Sequence, residues 1–196
     1  MGFRKLFTTY FIIFLCNYRV NCQDRLSIGM NMANKGRIKI HFFVSYAHTD
    51  DEYSSSFIDE FKEMSAPSEK YEYVFWQDTE ILPGENWKEE IREALINCDL
   101  GLLLISPAFL GSNFIDAEEL PKFAGGKAKP IIPIMLKMVN LKRHNLKGLD
   151  SNQIFRVKVE GVKKLKSFAQ CSSSQRTEFV YELFDKVEIR LDKIHS

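Results

Sequence analysis

The 196-residue chain has no excess of charge of one sign: 27 lysines and arginines stand against 26 aspartates and glutamates, a net charge of +1. Such a balance creates no overall field to draw the chain to nucleic acid or to an anionic membrane. The Lys163-Lys164 and Lys166 cluster reads as a solvated helix face. Cys16, Cys22, Cys98 and Cys171 have neither CxxC pairing nor His-Cys ligand spacing, which argues against a zinc site and leaves scattered, reduced thiols. His41, His48, His144 and His195 have no partner pattern for a metal or a nucleophile. Ser45 lacks a G-x-S-x-G setting, so a hydrolase triad is not indicated. There is no Walker motif and no G-x-G-x-x-G, which excludes the usual glycine-rich phosphate cradle. The apolar stretch Leu6 to Cys16 falls well short of the roughly 20 residues of an ordinary spanning helix. No repeat or low-complexity segment interrupts the chain.

What is present fits one ordinary domain plus a tail. Residues 1–36 form the tail and 37–194 the domain. Arg4 and Lys5 ahead of Leu6 to Cys16 are similar to a signal-peptide n-region and h-region, with Val20 and Cys22 as small residues before a cleavage. Arg19 within that segment opposes export, and Met30 and Met32 offer later starts just before the first strand. The expectation is a cytoplasmic domain, with a secreted one as the alternative if residues 1–22 are a signal peptide.

Beyond the tail, short apolar runs alternate with helical patterns, the signature of a parallel sheet covered on both faces. Ile38 to Tyr46, Tyr71 to Trp76, and the almost continuously apolar Leu100 to Ile105 read as strands. Pro133 in the fourth run, Pro130 to Ile134, cannot donate to a ladder, which implies a bulge or an edge-facing position. Gln153 to Val157 reads as a fifth, weaker strand. Thr49-Asp50-Asp51-Glu52 has capping-box spacing ahead of a helix carrying Tyr53, Phe57, Phe61 and Met64 on one face. Asn86 can cap a helix with Trp87, Ile91, Leu95 and Cys98 at helical period. Phe179, Leu183, Val187, Leu191 and Ile194 form the stripe of a terminal helix.

Four ordered motifs carry a resemblance. Ser112-Asn-Phe-Ile-Asp-Ala-Glu-Glu-Leu120 and Asp78-Thr-Glu-Ile-Leu-Pro-Gly-Glu-Asn-Trp87 resemble the catalytic-glutamate helix and BB loop of Toll/interleukin-1 receptor (TIR) domains. Phe42-Phe-Val-Ser-Tyr-Ala47 is similar to the family's first strand, and Pro130-Ile-Ile-Pro-Ile134 to its fourth. The resemblance implies an α/β, flavodoxin-like three-layer sandwich with a five-stranded parallel sheet. Ligands of such sheets lie beyond the carboxyl ends of the strands, where strand order reverses.

The activity implied is cleavage of the nicotinamide–ribose bond of NAD+, with NAD+ as substrate and no cofactor. Stand-alone bacterial members of the family, Thoeris-like, make ADP-ribose or cyclic ADP-ribose signals in antiphage defence. Nicotinamide leaves as a neutral ring, so the general acid of an ordinary glycosidase is not needed and one carboxylate can be enough. Glu119 falls on the family's catalytic glutamate, with Glu118 as the alternative if the helix register differs by one. Many NAD-cleaving relatives carry tryptophan four residues earlier, where this chain has Ile115, which offers only aliphatic contact. Tyr46, Ala47, Asp78 and Trp87 are the other expected substrate contacts. Each has a plainer reading: Tyr46 as a strand end, Asp78 as a turn residue, Trp87 as a core anchor, and Glu119 as a surface partner of Lys122. Pro83-Gly84 makes the 78–87 segment a turn-rich loop through which subunits would associate. A separate sensor or effector protein is a further expected partner; no nucleic acid and no stable membrane association are expected. The alternative function is a non-catalytic TIR–TIR interaction module or a secreted modulator of host signalling; a weaker one is a nucleoside deoxyribosyltransferase-like enzyme.

Overall fold

A computed structural model describes residues 36–78, 86–123 and 128–196. The tail and most of the 78–87 loop, Pro83-Gly84 included, lie outside the described residues. Among the described residues four strands form one parallel sheet: β1 (Ile38–Ser45), β2 (Tyr71–Trp76), β3 (Leu100–Ile105) and β4 (Ile131–Met135), in the order β2-β1-β3-β4. Between and after them run α1 (Asp51–Ser65), α2 (Trp87–Asn97), the short α3 (Pro107–Gly111) and α4 (Leu120–Phe123), and the long terminal α5 (Ser173–His195). No helix among the described residues is long and apolar enough to cross a membrane.

The alternation of side chains along the strands builds two cores. Ile40, Phe42 and Val44 of β1 join Leu102 and Leu104 of β3 under α1 and α5, where Phe57, Phe61 and Phe179 fill the layer. Phe43, Leu103 and Ile105 face the other way, against Ile91 and Leu95 of α2 and Phe109 of α3. All residues of β3 are buried, as its unbroken apolar run requires of a strand covered on both sides. Gly101 within it has a packing reason: an added Cβ would stand 2.5 Å from the Phe123 ring.

Pro133 pairs with Leu103 in the β3–β4 ladder, and its carbonyl faces outward to accept the Phe155 N–H at 2.8 Å. The missing proline N–H therefore falls on the edge side, and no ladder bond is lost. The expected fifth strand is corrected to a single parallel bridge, Ile134 to Phe155. Two residues later Val157 turns away to pair antiparallel with Lys166, exchanging bonds of 3.2 and 2.9 Å, and this local partner ends the pairing with β4 after Phe155. Lys163 and Lys164 lie in the bend between them, not on a helix. The capping box at Thr49 does not form either: His48–Asp50 makes a 3-10 turn and α1 begins after Asp50, whose side chain is used elsewhere. Asn86 stands at the start of α2, but its amide donates to Glu89 at 2.8 Å instead of capping backbone.

Candidate active site

Strand order reverses between β1 and β3, and the chain segments leaving their carboxyl ends diverge there. A cleft of about 780 Å³ opens at this point, within the range of small-molecule sites. Tyr46, Ala47, Asp78, Trp87, Ile115 and Glu119 all line it. The sequence spreads these residues over four separate segments, and the parallel topology brings them to one end of the sheet.

Glu119 reaches the cleft through a local irregularity. Ser106 caps α3, accepting the Phe109 N–H at 2.9 Å, and Ser112 then accepts the Ile115 N–H at 3.3 Å. From there Ile115–Glu119 forms a π-helical turn that ends with the Leu120 N–H bonded to the Ile115 carbonyl, and α4 continues it. Such single π turns recur at functional sites. Ile115 and Glu119 both end up buried, at 3% and 7% exposure. Glu118 points away, bonded to Arg92 at 3.0 Å. The pairing of Glu119 with Lys122 does not occur; its partner is the Ser45 hydroxyl, which donates to the carboxylate from the last residue of β1.

Burial pushes the Glu119 carboxyl up to about 7, and the nearby Asp78 charge adds to the rise, while the Ser45 hydroxyl bond opposes it. Among the described residues no lysine, arginine or histidine pairs with it. Asp78 sits across the cleft, accepting from the Tyr46 hydroxyl at 3.2 Å and meeting His48 Nε2 at 3.0 Å. Burial first, and then Asp78, push the Tyr46 hydroxyl well above its ordinary range, so it stays a neutral donor. His48, read from sequence as an ordinary histidine, thus belongs to the cleft. Trp87 is not a core anchor: it is 47% exposed, with its ring 5.1 Å from that of Phe114 on the cleft wall. Together Trp87 and Phe114 supply the aromatic surface that Ile115 does not. Among the described residues no group of His, Cys, Asp and Glu could hold a metal ion.

A second buried carboxylate, Asp50, lies near the same end of the sheet at 3% exposure. The Ser106 hydroxyl donates to it, and Lys137 Nζ pairs with it at 2.6 Å. Lys137 also covers the Tyr53 ring at 5.0 Å. Asp50 therefore ties the start of α1 to the ends of β3 and β4. Asp50 was read from sequence only as part of a capping box and Ser45 only as part of the first strand, so neither was among the expected site residues.

The TIR domain family model matches residues 42–166, more than half of the chain. No curated protein matches it.

Proposed function

The chain belongs to the TIR domain family, and from that membership we propose that it cleaves NAD+ between nicotinamide and ribose, with Glu119 as the catalytic residue. The observation that carries this reading is a buried carboxylate on a small-molecule-sized cleft, fixed by Ser45 and without a paired cation among the described residues. Such a group lacks a positive partner, and the ribosyl cation of the transition state is one. As the C1′–N bond breaks, its electron pair leaves with neutral nicotinamide and positive charge grows on the sugar. Glu119, ionised, stabilises that charge in a site where water is scarce and electrostatics are strong. Water then adds at C1′ and loses a proton to give ADP-ribose, or a nucleophile within the ADP-ribosyl group closes a cyclic product. Tyr46, Ala47, Asp78 and Ile115 contact the substrate in this reading, and Trp87 with Phe114 offers faces for a planar ring.

The product serves as a signal in antiphage defence, made in the cytoplasm for a separate effector. Assembly through the 78–87 loop regulates turnover, since a neighbouring subunit's loop would complete the cleft. Specific activity should then rise more than in proportion to protein concentration. The exposed Trp87 at the end of that loop also favours a second reading, a TIR–TIR interaction module without turnover. Incubation of the purified chain with NAD+ and chromatographic measurement of nicotinamide decides between them. Release that stops in Glu119→Gln supports the enzyme, and no release at any protein concentration leaves the interaction module.

A further inference from the structure

A second cavity, of about 590 Å³, opens beside the outer edge of β4, between the 151–158 segment and α5. Its residues are distinct from those of the cleft. Its walls combine two chemistries. Pro133, Phe155, Leu165, Leu183 and Val187 contribute apolar surface. Arg156, Lys158, Lys186 and Arg190 contribute four positive charges against the one negative charge of Glu182, a local excess in a chain whose net charge is only +1.

None of these four cations makes an ion pair among the described residues. This is notable for Lys186, which follows Glu182 by one helical turn in the orientation that ordinarily pairs the two. Arg156 adds a second sign, because its Nε has no hydrogen-bond acceptor among the described residues. Arg156 as a whole is half-buried and lines the cavity, and a guanidinium there suits the oxygens of an entering phosphate. Arg176 Nε is also buried and unbonded, but that guanidinium lies over the Tyr53 and Phe168 rings and opens on neither cavity.

We propose that this cavity is a second ligand site, taking a small phosphate ester or pyrophosphate that also carries an apolar ring, of the nucleotide type. The phosphate oxygens would accept from Arg156 and meet Lys186 and Arg190, while the ring lies against Phe155, Leu165 and Pro133. A bare anion would leave the apolar wall unused, and an uncharged nucleoside would leave the cations unused.

The test is titration of the full chain with ADP, adenosine and inorganic pyrophosphate, followed by backbone amide NMR. ADP should bind saturably, with shifts concentrated at residues 154–158 and 182–190. Pyrophosphate should bind there more weakly, and adenosine not measurably. The double variant Lys186→Glu/Arg190→Glu changes exposed positions and should fold normally, yet weaken ADP binding about tenfold or more. Glu119→Gln, altered only in the cleft, should leave it unchanged. ADP shifts confined to the cleft residues Ala47, Ser112 and Ile115 would overturn the proposal, as would equal affinity in the double variant. Because the readout is binding at a mapped location, it is independent of whether the chain turns over NAD+.

Discussion

Asp50 and Glu119 are both buried carboxylates, both beyond the carboxyl ends of strands, and each accepts from a serine at a strand end. They differ in the third partner. Asp50 has the Lys137 ammonium at 2.6 Å, whereas Glu119 meets no cation among the described residues and has the negative field of Asp78 across the cleft. A buried charge with a fixed cation is neutralised and serves to hold elements together; a buried charge without one is unfavourable until a cation arrives. The fold therefore contains one carboxylate committed to architecture and one that the proposed function assigns to chemistry, in closely similar settings.

The largest effect expected from this contrast is on turnover. Glu119→Gln keeps shape and removes charge, and should lower nicotinamide release on the order of 100-fold or more. Glu118→Gln, which breaks only the contact with Arg92, should leave release close to that of the parent chain. Full turnover in Glu119→Gln would abolish the functional half of the comparison.

Next in size is a stability effect of opposite sign. The Glu119 carboxyl titrates at about 7 in the folded chain against an ordinary 4.5. Below pH 4.5 both states hold the proton, and the residue contributes no pH dependence. Between 4.5 and 7 the unfolded chain releases the proton that the folded chain keeps, so stability falls as pH rises. Above 7 the penalty is complete, about 3 kcal/mol at about 1.4 kcal/mol per tenfold in proton affinity. Glu119→Gln should thus be more stable than the parent by up to about 3 kcal/mol at pH 9, with little difference at pH 4. Urea denaturation at the two pH values measures this directly, and a variant no more stable at pH 9 would mean that the carboxylate is not desolvated.

Asp50→Asn should behave in the reverse way, losing stability but not chemistry. It leaves Lys137 without its counter-charge; because Lys137 is 32% exposed, water offsets part of the loss, and about 2 kcal/mol is expected. Per folded molecule, turnover well below the melting temperature should persist. A stable Asp50→Asn variant that had lost turnover would move Asp50 from architecture to chemistry.

The two carboxylates were unequally legible in the sequence, and the reason is physical. Periodicity reports burial of apolar groups, so β3 and the Phe57 and Phe61 face of α1 could be read directly. Pro133 likewise announced an edge by its missing donor. A buried polar group depends on partners remote along the chain: Ser45 and Glu119 are 74 residues apart, and Ser106 and Asp50 are 56 apart. Local pattern placed Asp50 within a helix-capping run, where tertiary pairing overrode it. Glu119 was distinguished from Glu118 only by motif register; in the structure Glu119 is buried on the cleft, while Glu118 is bonded to Arg92. The fifth strand failed for the opposite cause, since Val157 pairs with the sequence-local Lys166 and the pairing with β4 stops at Phe155.

The smallest effect separates the serine's contribution from the carboxylate's own. The Ser45 hydroxyl bond is the one influence holding the Glu119 carboxyl down against burial and Asp78. Removing it in Ser45→Ala should raise that carboxyl further above its ordinary value. If the ionised form is the active one, turnover in the parent chain rises with pH through about 7 and then levels. In Ser45→Ala the rise should move to higher pH while the plateau is nearly kept, because Glu119 is still present and still becomes ionised. The deficit should therefore be several-fold near neutrality and almost vanish at pH 9. A uniform loss at every pH would assign Ser45 to positioning the carboxylate rather than to tuning its charge. An unchanged profile would show that the serine contributes nothing that sets Glu119 apart from a carboxylate buried alone.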